Sequence, residues 1–542
     1  MRHRLTSVSR ATFAIIDSSA ATEAMRFAVD PWRRQTLETD SAMHNSHKHL
    51  PGFGLTILAT SIGFGLVQLD VSVINVALAR MGVDLETGIA GLQWVVDAYA
   101  LAFASSLLSA GALGDRIGAR KTFVGGLLLF TAASVGCGLA PSAATLILMR
   151  AVQGLGAASL VPCSLALLNH ACHGNAAKRA RAVSLWTAAG GVGLSAGPVL
   201  GGLLVDAFGW RSIFLINVPV GLAGVWLASR FLEESAAPSG GRLDLPGQVL
   251  AIMTLGLLTG AIIEAGSVGW SAMPVRGALG AAVVLGVGFV IIERRSAAPM
   301  LPLNFFRNPT FSAATAFGLL INLTLYGMIF VFGLYLQRVR GFPPAWAGIA
   351  FLPFAVVLTF SNVANGWLSK AVSPRWLMVA GSILGAAGFW LLDGLNATSP
   401  YVAMLPGLLV LPFGVGLAVP AMTASLLGTV PQARSGVASG VLNTVRQSGG
   451  AVGVALYGAC LSGDVVPGIQ KAFGLSSVLL LVAAVIAGVG IRSYGSAERA
   501  GSAGSRSKPL RRTPWRWITR AKPSGVEPDK ANACAWQWPK RW

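Results

Sequence analysis

At 542 residues, with 54% hydrophobic and 11% charged side chains and a mean hydropathy of +0.65, the chain is too apolar to be a string of soluble domains. Its formal net charge of +20 at pH 7 sits in loops and tails between apolar runs, which argues for the positive-inside pattern of a membrane protein and against a nucleic-acid-binding face. The five cysteines, Cys137, Cys163, Cys172, Cys460 and Cys534, have neither metal nor disulfide spacing and read as small packing residues and a tail thiol.

Residues 1–52 are polar and mixed in charge, with no apolar core long enough for a signal peptide, and Met43 offers a later translation start. Fourteen apolar runs follow, near 53–79, 91–112, 123–140, 144–168, 182–207, 213–232, 246–266, 275–293, 311–336, 345–369, 375–395, 402–427, 436–461 and 472–492. The even-numbered connections carry Arg116, Arg120, Lys121, Lys178, Arg179, Arg181, Arg230, Arg242, Arg294, Arg295, Arg307, Lys370, Arg375 and Arg434. The odd ones carry only Arg80, Arg211, Arg276, Arg338, Arg340 and Lys471, so the bias of fourteen to six predicts both termini in the cytoplasm. Residues 493–542 read as a basic disordered tail, and its arginines among Trp515, Trp517, Trp536, Trp538 and Trp542 give a lipid-surface segment as the alternative.

Several runs carry residues that an apolar span does not need. Asp70, late in the first run, is an acid whose ionised form costs about 2.5–3.5 kcal/mol inside a span, so it is protonated part of the time or else partnered. In the second run Gln93, Asp97 and Leu101 share a helical face, which predicts an acid aimed into a central cavity with an amide one turn away. The connection Gly111-Ala-Leu-Gly-Asp115-Arg116-Ile-Gly118-Ala-Arg120-Lys121 reads as a tight turn, with Gly111 and Gly118 closing the backbone and Asp115 facing a neighbouring helix end. Arg150 in the fourth run forms a ridge with Gly154 and Ala158 and carries a charge it cannot shed. In the fifth run Gly193, Gly197 and Gly201 make a bare stripe for close helix approach, and Pro198 with Gly201 and Gly202 predicts a bend there.

Trp210 opens the string Gly209-Trp210-Arg211 to Asn217-Val-Pro219-Val-Gly221 as an interfacial anchor, and Glu264 stands near the outer end of the seventh run. In the second half, Phe330, Phe332, Tyr335, Gln337, Phe351, Phe354, Phe360 and Trp367 offer lining for an apolar cavity. Asn443, Arg446 and Gln447 form a polar string without an evident role, and Asn365 to Arg375 repeats some of the first basic turn but lacks its aspartate. His170, Cys172 and His173 lack a fourth ligand, so no metal is expected.

These strings resemble, in order and helix by helix from about 53 to 492, the fourteen-helix drug:proton antiporter branch of the major facilitator superfamily. The resemblance implies an all-α membrane protein of the major facilitator fold with 14 transmembrane helices. Its parts would be a six-helix bundle over 53–232, two linking helices in 233–300 and a second six-helix bundle over 301–492, with rocking around a central cavity. It also implies a gating loop of Gly111, Asp115, Arg116, Gly118 and Arg120 whose aspartate latches the halves together when the cavity faces outward. Arg150 would take part in proton coupling, with Asp70, Asp97 and Glu264 as proton or cation sites. Gly193, Gly197, Pro198, Gly201 and Gly202 match the antiporter motif, which disfavours leak.

The expected activity is export of small hydrophobic or cationic drugs across the cell (inner) membrane in exchange for protons, with no enzymatic step and no cofactor besides the proton gradient. The expected partners are a small-molecule substrate, protons and the lipid bilayer, with no nucleic acid; an envelope efflux protein is the one protein partner this reading admits. A dedicated exporter of an amino acid or secondary metabolite, or a proton-coupled uptake symporter, are the alternatives on the same scaffold.

Overall fold

A computed structural model describes residues 51–172, 175–234, 244–296, 299–431, 434–461 and 464–491. The polar leader with Met43, the basic tail with its tryptophans and Cys534, and also His173 and Arg242, lie outside the described residues. Among the described residues the regular structure is helical throughout.

The long helices are α1 (Pro51–Val73), α2 (Ile89–Ile117), α3 (Ala119–Gly138), α4 (Ala143–Ala171), α5 (Ala176–Phe208), α6 (Asn217–Phe231), α7 (Leu245–Val268) and α8 (Met273–Arg295). They continue as α9 (Pro309–Leu334), α10 (Leu352–Leu368), α11 (Pro374–Asp393), α12 (Tyr401–Leu427), α13 (Ser435–Cys460) and α14 (Val465–Gly490). Short helices at Leu78–Asp84 and Ser212–Leu215 follow α1 and precede α6, and Pro344–Ala350 leads into α10. Local chemistry sets many of the starts. The Ser142 hydroxyl caps α4 through the Thr145 N–H, the Asn175 side chain caps α5 through Lys178, and Asn308 caps α9 ahead of Pro309 at its first position. Gly118, at φ +107°, ends α2 and turns directly into α3.

Thirteen helical segments among the described residues are long and apolar enough to cross a membrane, and the chain is a multi-pass membrane protein. The run predicted over 436–461 does form a helix, α13, but it is not one of those thirteen. Asn443, Thr444, Arg446, Gln447 and Ser448 make it too polar, a composition that suits its setting. It packs on α9, α2 and α7, with Gly449 and Gly453 against the backbone carbonyls of Leu319 and Leu323, so protein rather than lipid surrounds much of its length.

The packing repeats with an offset of eight helices. In α1–α6, α1 packs on α4, α5 and α6, α4 on α2 and α3, and α3 on α6. In α9–α14, α9 packs on α12, α13 and α14, α12 on α10 and α11, and α11 on α14. The two sets meet along two seams related in the same way, α2 with α13 and α5 with Pro344–Ala350 and α10. Helix α7 lies over the first seam, against both α2 and α13, whereas α8 packs chiefly on α7.

Candidate functional site

Five helices of the first half bring polar side chains to one buried point. Asp70 from α1 is fully buried, and Arg150 from α4 meets it with Nη1 2.5 Å from Oδ2. The same Nη1 donates to Gln153 Oε1 at 2.8 Å, and Nε donates to the Val95 carbonyl of α2 at 3.2 Å. Gln153 Nε2 and Asn217 Nδ2 donate to Asp70 Oδ1 at 2.8 and 3.0 Å, and Gln153 Nε2 also reaches Ser134 Oγ on α3 at 2.9 Å. The Tyr99 ring lies under the guanidinium, 4.2 Å from Cζ. This is the one ion pair among the described residues. The hydrogen bonds to both Asp70 oxygens and to Arg150 Nε and Nη1 are what make a buried pair tolerable in an apolar medium. Arg150 is therefore held inside the half and does not snorkel toward the surface.

The second acid behaves differently. Asp97 is fully buried and neither carboxylate oxygen has a hydrogen-bond partner among the described residues. It borders a cavity of about 30 Å³ that lies between the halves, with Arg150 and Tyr99 on one side and Tyr326 and Gln447 on the other. The predicted neighbour Gln93 points elsewhere: its Nε2 donates to the carbonyls of Val454 at 3.2 Å and Ala455 at 2.7 Å, tying α2 to α13. Helical spacing puts Gln93 and Asp97 on one face, but α13 lies close enough at Gln93 to take its amide.

Between the halves there is also a cavity of about 2000 Å³. The end of α2 with Asp115, the ends of α4 and α12, the start of α13 and α5 from Val183 to Leu203 surround it, reaching the side of the basic connections. Gln68, Asn362, Asn443 and Arg446 lie on its wall, and its aromatic residues are Phe64 and Trp186, stacked with centroids 3.9 Å apart. The aromatics predicted to line it on α9 and α10 do not. Phe330, Phe332, Tyr335, Phe351 and Phe354 are buried in the core of the second half, Phe360 and Trp367 are exposed, and Gln337 is absent from the wall. Helix α9 is enclosed by α12, α13 and α14, so its rings pack among helices.

At the opposite end the glycines of α5 close the seam. Gly193, Gly197 and Gly201 lie on α1; a Cβ at Gly197 would overlap the Ser72 hydroxyl. Gly202 lies on the Pro344 carbonyl, and Gly348 lies on the Pro198 carbonyl, so backbone meets backbone across the halves. The expected single stripe thus serves two partners, α1 along one line and the other half along the next. Helix α5 runs through Pro198 without interruption.

The basic turn is held from within its own half. Glu234 accepts from the Arg120 backbone N–H at 3.0 Å and sits where a Cβ on Gly118 would be, and the Arg120 guanidinium donates to the Ser229 carbonyl. Asp115 is exposed and has no hydrogen bond or ion pair among the described residues, so it caps no helix here; Gly111 and Asp115 both border the large cavity. Arg116 is exposed beside it. Glu264 stands exposed on α7 and borders neither cavity, so the structure does not bring it to the other acids. Ser134, in the buried polar cluster, and Glu234, against the basic turn, are residues that the sequence alone does not single out. A lone hydroxyl in an apolar run and an acid after a span are too common to signal a role.

The Major Facilitator Superfamily family model matches residues 60–454. The chain is 38% identical over 408 residues to the methylenomycin A resistance protein of Streptomyces coelicolor, covering 75% of this chain and 86% of that protein. It is 37% identical over 408 residues to the multidrug resistance protein Stp of Mycobacterium tuberculosis, covering 75% of this chain and 76% of that one. With the cephamycin export protein CmcT of Amycolatopsis lactamdurans it shares 38% identity over 405 residues, 74% of this chain and 83% of that protein. Among solved structures, a bacterial homologue of the human lysosomal transporter Spinster, inward-facing and unoccupied, superposes with a TM-score of 0.58 at 18% identity, covering 82% of this chain and 98% of that chain.

Proposed function

The chain belongs to the major facilitator superfamily, and from that premise we propose that it exports small hydrophobic drug-like compounds across the cell membrane in exchange for protons, by alternating access. Export of such compounds is supported by the resistance and export proteins it resembles. Exchange for protons rests on one observation, the partnerless Asp97 carboxyl between the halves, on the same small cavity as Arg150.

With the basic connections on the cytoplasmic side, the large cavity is open inward and the α5 glycine seam is the outer seal. Substrate enters from the cytoplasm while Asp97 gives up its proton to that side. Rocking about the two seams then opens the outer side, where drug leaves and a proton returns. Asp70 keeps Arg150 in place on the small cavity that Asp97 also borders, so in this reading its role is to hold a fixed cation at the edge of the exchanging acid's cavity. A proton moving down the membrane potential supplies about 2.3 kcal/mol per 100 mV before any pH gradient.

The test uses inside-out vesicles energised by a proton gradient, with a quenched pH dye and a panel of drugs. Drug-induced recovery of the dye in the wild type that vanishes in Asp97→Asn, with the variant still inserted and folded, supports the exchange. Equal recovery in Asp97→Asn overturns the role of Asp97, and no recovery with any drug in folded wild type overturns drug:proton exchange itself.

A further inference from the structure

Each half carries an arginine well inside a long helix, Arg150 in α4 and Arg446 in α13, away from the helix ends where the other helical arginines lie, and the two are not equivalent. Arg150 is satisfied by Asp70, Gln153, the Val95 carbonyl and the Tyr99 ring. Arg446, about halfway along α13, makes one long hydrogen bond among the described residues, Nε to Asn322 Oδ1 at 3.4 Å, and no carboxylate is within ion-pair distance. Its stem lies beside Gly318 of α9, with Cγ 3.6 Å from where a Cβ would be. Its Nη1 and Nη2 atoms are left without a protein acceptor among the described residues.

Arg446 is also the sole cation among the described residues on the wall of the large cavity. The acids on that wall, Asp115 and Asp244, belong to the end of α2 and the N-cap of α7, at helix ends rather than halfway along a span. Asp244 already accepts the Gly247 N–H at 3.0 Å through Oδ1. One turn before Arg446, Asn443 offers an amide to the same space. A guanidinium keeps its charge at any physiological pH, and in a membrane interior it needs an anion, carbonyls or water. Among the described residues neither Asp115 nor Asp244, nor any other carboxylate, comes within ion-pair distance of Arg446.

We propose that the large cavity binds amphipathic organic anions, with a carboxylate or enolate of the substrate on the Arg446 guanidinium and the Asn443 amide, and its apolar ring body toward Phe64 and Trp186. The inference rests on the drug-export reading and narrows it to anionic cargo, away from the cationic drugs that the sequence suggests. A planar guanidinium can hold a carboxylate through two parallel N–H···O bonds, so it selects the group as well as the charge.

The test is titration calorimetry on the purified full-length protein in maltoside micelles, which carry no phosphate headgroup to compete. The probes are pyrenebutyrate, pyrenebutyramide and pyrenebutylamine, one ring body with three end groups. The expected result is butyrate binding at least about tenfold tighter than amide, with amine weakest, since a charge-assisted hydrogen bond is worth that much or more. Arg446→Gln lowers butyrate affinity at least about tenfold and amide affinity by no more than about twofold, so amide binding itself reports that the variant is folded. Arg446→Lys keeps part of the preference, as a point charge without the fork. Amide and amine binding with no preference for butyrate, or a preference that survives in Arg446→Gln, overturns the inference and leaves the export reading standing. Failure of all three probes to bind folded wild type removes both.

Discussion

The two halves of the molecule share one pattern of helix pairing and fill it with different chemistry. The interior of α1–α6 is organised around a polar knot, Asp70, Arg150, Gln153, Asn217 and Ser134, in which most donors and acceptors have a partner. The interior of α9–α14 is a packed set of rings and aliphatic side chains, Phe317, Phe330, Phe332 and Phe389 among them, and its mid-helix arginine, Arg446, faces the cavity. The same scaffold therefore holds a fixed cation in one half and an available cation in the other. What separates them is the presence of an acid on the facing helix: α1 brings Asp70 to Arg150, while α9 brings only Asn322 to Arg446.

The comparison breaks most severely at the ion pair. Arg150→Leu leaves Asp70 buried without its cation, and a loss of about 3–5 kcal/mol of stability is expected, seen as a large fall in the thermal unfolding midpoint in detergent. The double variant Asp70→Asn/Arg150→Leu recovers more than half of that loss; equal losses in single and double variants would mean that the pair does not organise the half. Next comes the seam between the halves. Gly202→Leu places a side chain on the Pro344 carbonyl and forces the seam between the halves apart, so drug transport in vesicles is expected to fall at least about tenfold while the midpoint moves little, the mark of a change at an interface and not in a core.

A smaller effect sharpens the contrast between the arginines. Arg446→Gln breaks no ion pair and one long hydrogen bond, so it changes stability by less than about 1 kcal/mol, several-fold less than Arg150→Leu in the same unfolding assay. The smallest effect is expected at Glu264, which is exposed and borders neither cavity. Glu264→Gln leaves transport within about twofold of wild type, and a larger drop in the vesicle assay would return that residue to the transport path.

Much of this organisation is legible in the sequence because bilayer thickness and backbone hydrogen bonding leave few options. Apolar runs of about twenty residues become spanning helices whatever they pack against. The runs near 53–79 through 472–492 correspond to α1 through α14, with α13 recognisable despite its polarity. Charged residues inside those runs also stand out one at a time, as Asp70, Asp97 and Arg150 do, because an apolar span carries no charge without a partner or a use. The sequence likewise points to the α5 glycines as a place of close approach, since four-residue spacing of small residues defines a face by geometry alone.

Which residues meet is a different matter, because it depends on helices far apart in the chain and on rotations that periodicity does not define. Tertiary packing decided that Asp70 takes Arg150 with Gln153 and Asn217, that Asp97 takes no partner among the described residues, that Gln93 reaches α13, and that Gly202 meets Pro344. It also put the α9 aromatics into the core and left Arg446 on the cavity wall. A span's composition determines that it enters the membrane, since that free energy sums over its own side chains. The partner of a buried charge is determined by distances between side chains on different helices, and those exist only once the helices have packed.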